Sequence, residues 1–258
     1  MARILAVSSF VARGRVGNSI AVPVLEAMGH EVWPVPTIML STRPGLGAVS
    51  KRDVPPELLT DFVQTYSDDG VLRTIDAVLS GYLPSAGHVV ATAAAVAAVK
   101  SANTAVLYLC DPVMGDDDRG LYIAESAAAA TRDRLAVLAD ALTPNLFELQ
   151  WLCGRPGADA ESLMAEHPFR TVALTSSSDA SEIENLLFNP GLASTWRGER
   201  LPDIPNGTGD LFSALFLGHL LNGVDDKTAF QQSCDQVDAV VRASIGQEIL
   251  QISGLMTR

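Results

Sequence analysis

The feature that most constrains this chain is a recurrence. Short apolar runs each stop at a polar, turn-forming residue: Ile4–Val7 at Ser8, Ala77–Leu79 at Ser80, Ala141-Leu142 at Thr143, and Val172–Leu174 at Thr175. Ala105–Leu109 likewise runs into Cys110-Asp111. Runs this short and this apolar suit strands buried on both faces, the condition of a parallel sheet covered by helices. Between Ile4–Val7 and the next strand, Glu31–Val35, the sequence predicts a loop over 10–17 and a helix over Asn18–Met28. Pro23 falls near the first turn of that helix and Gly29 is its stop. Strand, helix, strand at this spacing is a βαβ unit. Further helices are expected over Pro56–Tyr66, Ser85–Lys100 and residues 123–139, with 36–54 irregular or a pair of short edge strands. No repeat or low-complexity linker interrupts the 258 residues, so the expectation is one α/β domain spanning 1–258.

Composition excludes several functions. A net charge of −12 argues against a broad cationic surface for nucleic acid. No apolar stretch is long enough to span a bilayer, and the N-terminus lacks the long apolar segment of a signal peptide. Cys110, Cys153 and Cys234 are widely spaced, which supports neither a disulfide framework nor a CxxC metal site and fits a reducing compartment; the cytoplasm is expected. His30, His88, His167 and His219 fall in no metal-ligand spacing, and Asp116-Asp117-Asp118 reads as a solvated acidic loop. There is no GxxxxGK[ST] P-loop and no GxGxxG after the first strand, which disfavours an ordinary P-loop enzyme or dinucleotide binder.

In open α/β sheets ligands bind beyond the carboxyl ends of the strands, where the polar residues of this chain fall. One stretch there carries chemistry: Asn206-Gly207-Thr208-Gly209-Asp210, followed at once by the apolar run Leu211–Leu221. Glycine lets a backbone approach an anion closely, and the free N–H groups at a helix start point toward it. Such a site can hold a phosphate with Asp210 beside it as a base. The plainer alternative is a glycine turn in which Asp210 complements the helix dipole, worth roughly 0.3–1 kcal/mol.

Three motifs in order sharpen this reading: Cys110-Asp-Pro-Val-Met-Gly115, Thr143-Pro-Asn-Leu-Phe-Glu148 and Gly207-Thr-Gly-Asp210. With Glu31-Val-Trp-Pro34, Asp76-Ala-Val-Leu-Ser-Gly-Tyr-Leu83 and Ser9 after the first strand, they resemble the pyridoxal kinases of the ribokinase-like superfamily over nearly the whole chain. The resemblance implies a ribokinase-like α/β fold, a central mostly parallel sheet flanked by helices. It further implies an ATP-dependent kinase for the 5′-hydroxymethyl of pyridoxal and its relatives, acting with Mg²⁺, admitting a monovalent cation, and forming a homodimer. Asp210 would be the catalytic base, and the Gly207-Thr208-Gly209 backbone the anion hole for the transferred phosphoryl group. Asp111 and Glu148 would lie at the ATP phosphates and the metal. Asn145 heads an Asn145-x-x-Glu148 capping box beside them, and Thr175 takes an ATP-contacting position. Ser9, Asp210 and Tyr82 fall on the acceptor side; Trp33 and Tyr82 read as core or pocket-wall aromatics more than as specific ligand contacts.

The resemblance is uneven. Pyridoxal kinases usually carry a polar and aromatic stretch after the second strand; here Ser41-Thr-Arg-Pro-Gly-Leu-Gly47 has Leu46 in the aromatic's place, and the loop after Ser9 carries Arg13-Gly14. The segment 185–205 is short for the strands that usually shape the nucleotide site. Altered acceptor contacts with phosphoryl transfer retained are therefore expected. A related hydroxymethylpyrimidine-type kinase and a catalytically weak vitamer- or nucleotide-binding protein are the alternatives.

Overall fold

The computed structural model describes residues 1–155, 159–166, 169–177 and 182–255. His167 lies outside the described residues. In chain order the strands are β1 (Arg3–Arg13), β2 (Glu31–Thr42), β3 (Lys51–Asp53), β4 (Ala77–Ser80), β5 (Leu107–Cys110), β6 (Gly115–Asp116), β7 (Gly120–Leu121), β8 (Ala141–Leu142), β9 (Thr171–Leu174), β10 (Glu182–Asn189) and β11 (Leu192–Glu199). The helices are α1 (Asn18–Ala27), α2 (Glu57–Asp68), α3 (Ala86–Ala102), α4 (Glu125–Ala130), α5 (Leu146–Cys153), α6 (Ala160–Glu166), α7 (Thr208–Leu221) and α8 (Asp226–Ala243).

Nine strands form one sheet in the order β11-β10-β9-β8-β5-β4-β1-β2-β3, and β6 pairs with β7 in a separate ribbon. The central strands pair in parallel, and antiparallel pairs close both edges. Side chains alternate across the sheet as the apolar runs require. Leu5, Val7, Val78, Tyr108, Leu142 and Val172 pack with α2 to α6 on one face, and Ile4, Ala6, Ala77, Leu79, Leu109 and Ala141 pack with α1, α7 and α8 on the other. Both faces are covered, which is why these strands read as continuous apolar runs rather than alternating ones.

Several sequence boundaries are corrected. β1 continues through Arg13, where the sequence suggested a loop from Phe10, and β2 continues to Thr42. The two remain paired past a register shift between Ser8/Phe10 and Pro36/Met39, whereas β4 accompanies β1 only from Ile4 to Val7. The β1–β2 pair, with β3 along Ile38–Leu40, therefore projects beyond the carboxyl edge of the sheet. Pro34 and Pro36 did not stop β2 because they lie where it has no partner on its far side, and a missing N–H is tolerated on such an edge. Beside the register shift, the buried Asn18 amide donates to the carbonyls of Ala6, Ser8 and Val35 at 3.2–3.4 Å.

Pro23 lies inside α1 rather than in its first turn. It lacks the N–H that would bond the Ser19 carbonyl, and the Arg15 guanidinium donates to that carbonyl instead, at 3.2 Å. The helix expected over 123–139 is regular only across α4; Thr131–Leu135 widens into a π turn and Ala136–Leu138 tightens into a 3₁₀ turn. Residues 182–199, most of them within the 185–205 segment read as short for the strands of the nucleotide site, form an antiparallel hairpin, β10–β11.

Candidate active site

The ends of β1, β4, β5 and β8 and the start of α7 converge at the carboxyl edge of the sheet. Three carboxyl groups meet there. Asp111 follows β5, Glu148 lies in the first turn of α5, and Asp210 in the first turn of α7. Asp111 and Glu148 are buried, Asp210 half-buried. Each is close enough to the others for their charges to interact.

The first intrahelical bond of α7 runs from the Leu211 N–H to the Gly207 carbonyl, leaving the amides of Thr208, Gly209 and Asp210 unused by the helix. The two glycines of this turn serve different ends. Gly207 has φ +113°, and a side chain there would collide with the Arg15 carbonyl. Gly209 needs no unusual backbone, and a Cβ there would meet no atom within 4 Å. Packing requires the first glycine, while the second keeps open the space over three unused amides, the geometry of an anion cradle.

Asp210 accepts a hydrogen bond from the Gly17 N–H; burial raises its pKa from 3.8 to about 6, which that bond partly offsets. The surrounding wall is tight. A Cβ on Gly17 would strike the Ser9 hydroxyl, and one on Gly81 would lie 2.6 Å from Ser8 Oγ and 3.9 Å from Asp210 Oδ1. Ser8 Oγ accepts from the Tyr82 N–H at 3.1 Å, and the Tyr82 carbonyl accepts from Thr37 Oγ1 at 2.8 Å. Ser9 is buried against Gly17, on the same side of the cradle as Asp210. Tyr82 is half-buried with its hydroxyl pKa raised by burial, then by the charge of Asp53, so it belongs to the wall between β4 and the β2–β3 extension. Trp33 packs on Tyr66 at 5.2 Å between ring centroids, and its ring N–H donates to Glu31; it is a core-edge aromatic.

Asp111 is held through a chain absent from the motifs. Ser213, one turn after Asp210, donates to Asp111 Oδ2 at 2.8 Å, and Ser213 Oγ lies 2.7 Å from Thr143 Oγ1. Burial first, then the charges of Asp210 and Glu148, push the Asp111 pKa well above the carboxylate range. Glu148 completes a capping box: its carboxylate accepts from Asn145 N at 2.9 Å and Met114 N at 3.0 Å, and Asn145 Oδ1 accepts from Glu148 N at 2.9 Å. Burial raises its pKa to about 8 against these backbone donors. Asn145 Nδ2 donates to the Gly115 carbonyl at 2.8 Å, so its amide is spent on capping and on fastening the 110–115 turn. Thr175 bridges to Asn145 across adjacent strand ends, with its N–H on the Pro144 carbonyl at 2.9 Å.

No group of three His, Cys, Asp or Glu among the described residues could by itself hold a metal. Magnesium is usually held by one or two carboxylates and completed by phosphate and water. Asp111 Oδ1, beside Glu148, suits that mode: hard oxygen donors in a buried acidic cluster. Asp116 instead accepts from the Arg119 N–H at 2.8 Å in the exposed β6–β7 ribbon, as a solvated acidic loop should. His219 pairs with Gln236 at 2.9 Å within the α7–α8 contact. Sequence reasoning gave no site role to Gly17, Gly81 or Ser213, and it marked Ser8 only as one of the polar strand-end residues; Gly81 stood inside the noted Ser80-Gly81-Tyr82.

An amide cradle at a helix start, a raised carboxyl beside it and further acids at neighbouring strand ends, all on a covered parallel sheet, define the ribokinase-like class of α/β phosphotransferase. Comparison with known proteins narrows the class. Residues 29–253 match the phosphomethylpyrimidine kinase family. The pyridoxal kinase PdxY of Granulibacter bethesdensis is 36% identical over 254 residues, covering 93% of this chain and 88% of that one. Leishmania donovani pyridoxal kinase, solved with ADP and pyridoxamine, superposes with a TM-score of 0.85 at 26% identity, covering 95% and 88% of the two chains. The pyridoxal kinase of Entamoeba histolytica shares the fold at a TM-score of 0.90 and 22% identity, covering 99% and 94%. The chain belongs to the phosphomethylpyrimidine kinase family and, within it, to the pyridoxal kinases.

Proposed function

We propose that this chain, acting as one kinase domain, transfers the γ-phosphoryl group of ATP to the 5′-hydroxymethyl of pyridoxal. The observation that carries this reading is Asp210, a carboxyl raised to about 6 and aimed by the Gly17 N–H beside the open amides of the α7 start. Phosphoryl transfer asks a protein chiefly for positioning and for donors where charge develops. Asp210 takes the proton of the acceptor hydroxyl, and the amides of Thr208, Gly209 and Asp210 receive the charge spread over the transferred group. Ser9 and Tyr82 line the acceptor side. Asp111, fixed by Ser213, and Glu148, fixed by backbone N–H groups, face the nucleotide phosphates with Asn145 and Thr175 alongside. Asp111 and Glu148 would hold Mg²⁺, which supplies Lewis-acid polarisation of the phosphate oxygens.

A homodimer is supported by Phe10 and Met39, exposed apolar register partners on the β1–β2 extension. No helix among the described residues is long and apolar enough to cross a membrane. Cys110 and Cys234 are buried thiols with pKa values pushed up to about 12 by burial, as suits a chain in the reducing cytoplasm. The test is direct: purified protein with MgATP and either pyridoxal or a hydroxymethylpyrimidine, following phosphorylated product. Pyridoxal turnover abolished by Asp210→Asn supports the proposal. Pyrimidine turnover alone moves the acceptor to the family's other chemistry, and tight binding without turnover makes the chain a binding protein.

A further inference from the structure

Arg43 sits in the stretch where this chain departs most from its resemblance, and it is buried, with 9% of its surface exposed. Burying a guanidinium is costly unless its donors are satisfied. Here Nε and Nη2 both donate to the Glu248 carbonyl, at 3.1 and 2.8 Å, and Nη1 donates to its neighbour Pro44 at 3.1 Å. Its guanidinium donates to these carbonyls rather than to a carboxylate. The same residue's backbone N–H donates to the Arg13 carbonyl at 3.0 Å, and Thr42 Oγ1 donates to that carbonyl at 3.3 Å. Its aliphatic stem lies on Gly14, whose φ is +149° and where a Cβ would come within 3.0 Å of Arg43 Cβ. Arg43 therefore joins three segments: its own loop after β2, the β1–α1 loop, and the C-terminal turn around Glu248.

The β1–α1 loop touches the chemistry on its other side. The Arg15 carbonyl abuts Gly207, and the Gly17 N–H holds Asp210. The C-terminal segment reaches the same turn independently, with Leu250 Cδ1 3.3 Å from where a Gly207 Cβ would stand and the Gly246 N–H on the Asp203 carbonyl at 3.4 Å. Residues 13–17 are thus gripped between Arg43 and the Gly207–Asp210 turn.

We infer that Arg43 is a positioning residue for phosphoryl transfer, clamping the 13–17 loop so that Gly17 presents Asp210 to the acceptor. This deepens the kinase reading and rests on Asp210 being the base. Displacing a reacting group by about 1 Å is enough to cost up to ~10²-fold in rate. The forked geometry is specific to arginine, since lysine brings one ammonium rather than two aligned N–H groups to a carbonyl.

The experiment measures kcat, both KM values and the melting midpoint for Arg43→Ala and Arg43→Lys. Expected is a fall in kcat of about ten- to a hundredfold for Arg43→Ala, a smaller fall for Arg43→Lys, and a KM for MgATP within about twofold of wild type. An unchanged kcat overturns the inference. So does a loss of kcat and MgATP affinity together with a fallen melting midpoint, and so does failure of both variants to fold, because each shows a scaffold role only. Wild-type protein inactive on every hydroxymethyl acceptor overturns the kinase reading and this inference with it. A wild-type kinase whose Arg43 variants match it overturns this inference alone.

Discussion

Lowering the pH should switch this enzyme off without unfolding it, and the cause should be Asp210. A base must be ionised to accept a proton, and burial raises this carboxyl from 3.8 to about 6. At about pH 5, roughly one Asp210 in eleven is then ionised, against more than nine in ten for an ordinary aspartate. The kcat/KM for pyridoxal should therefore fall about tenfold per unit below pH 6 or so. Stability moves the other way. A carboxyl whose folded pKa is raised favours the native state most below its unfolded pKa, and that contribution is lost as pH rises through the folded value. Between the ordinary 3.8 and about 6, acidification thus stabilises the fold through Asp210. Asp225, exposed and lowered by hydrogen bonds from Thr228, and Asp226, lowered net against its burial by hydrogen bonds from Arg170 and Thr171, remain ionised there, so their contribution is not yet lost. The assay pairs a pH–rate profile with melting midpoints across the same buffers, for wild type and Asp210→Asn. An acid limb near 4 would refute the reasoning, as would a limb near 8, which would assign it to Glu148. A fall in melting midpoint that tracks the loss of activity would refute it too.

Other substitutions separate cradle from scaffold. Gly209→Ala should leave the melting midpoint unchanged or raised, since alanine is the better helix residue by up to about 1 kcal/mol, yet reduce kcat because its methyl enters the open space over the amides. Gly207→Ala should fail on both counts: a left-handed backbone costs an alanine about 1–2 kcal/mol before the collision with Arg15. Ser213→Ala removes the donor to Asp111 and should cost about 1–3 kcal/mol of stability, read by chemical denaturation. Asn145→Ala should cost about 1 kcal/mol through the lost cap and raise the KM for MgATP, as Glu148 loses its seat.

The covered sheet was legible because each central strand carries a short apolar run followed by a polar residue, and those signals are local. The acids were legible for the same reason: Asp111 and Asp210 each sit inside a compact motif. The projecting halves of β1 and β2 were not, because their hydrogen bonds go to a partner about one helix away in sequence and Pro36 suggested a stop. Ser213 looked like one more small residue on an apolar helix, since its partner Asp111 is 102 positions away. Arg43 gave no sign of burial either; a lone arginine between threonine and proline resembles any solvated loop cation. What escaped was tertiary closure, in which a side chain's meaning is set by a neighbour the local pattern does not contain.

The long first strand has a consequence for how such an enzyme can change. Residues 4–7 of β1 are fully buried between β4 and β2, and residues 10–13 belong to the projecting β1–β2 flap, with no joint between them except the shift in pairing after Ser8. The flap is therefore not a detachable module. Its tip, the exposed stretch from Gly47 to Ser50, is free to lengthen, shorten or exchange residues in a descendant that takes up a different hydroxymethyl compound. Its stem is not, because a single insertion between Ser9 and Arg13 would turn the outer side chains over or drag the buried half of the same strand out of step. New acceptor preferences in this lineage should arise at the tip, while the stem is inherited together with the core.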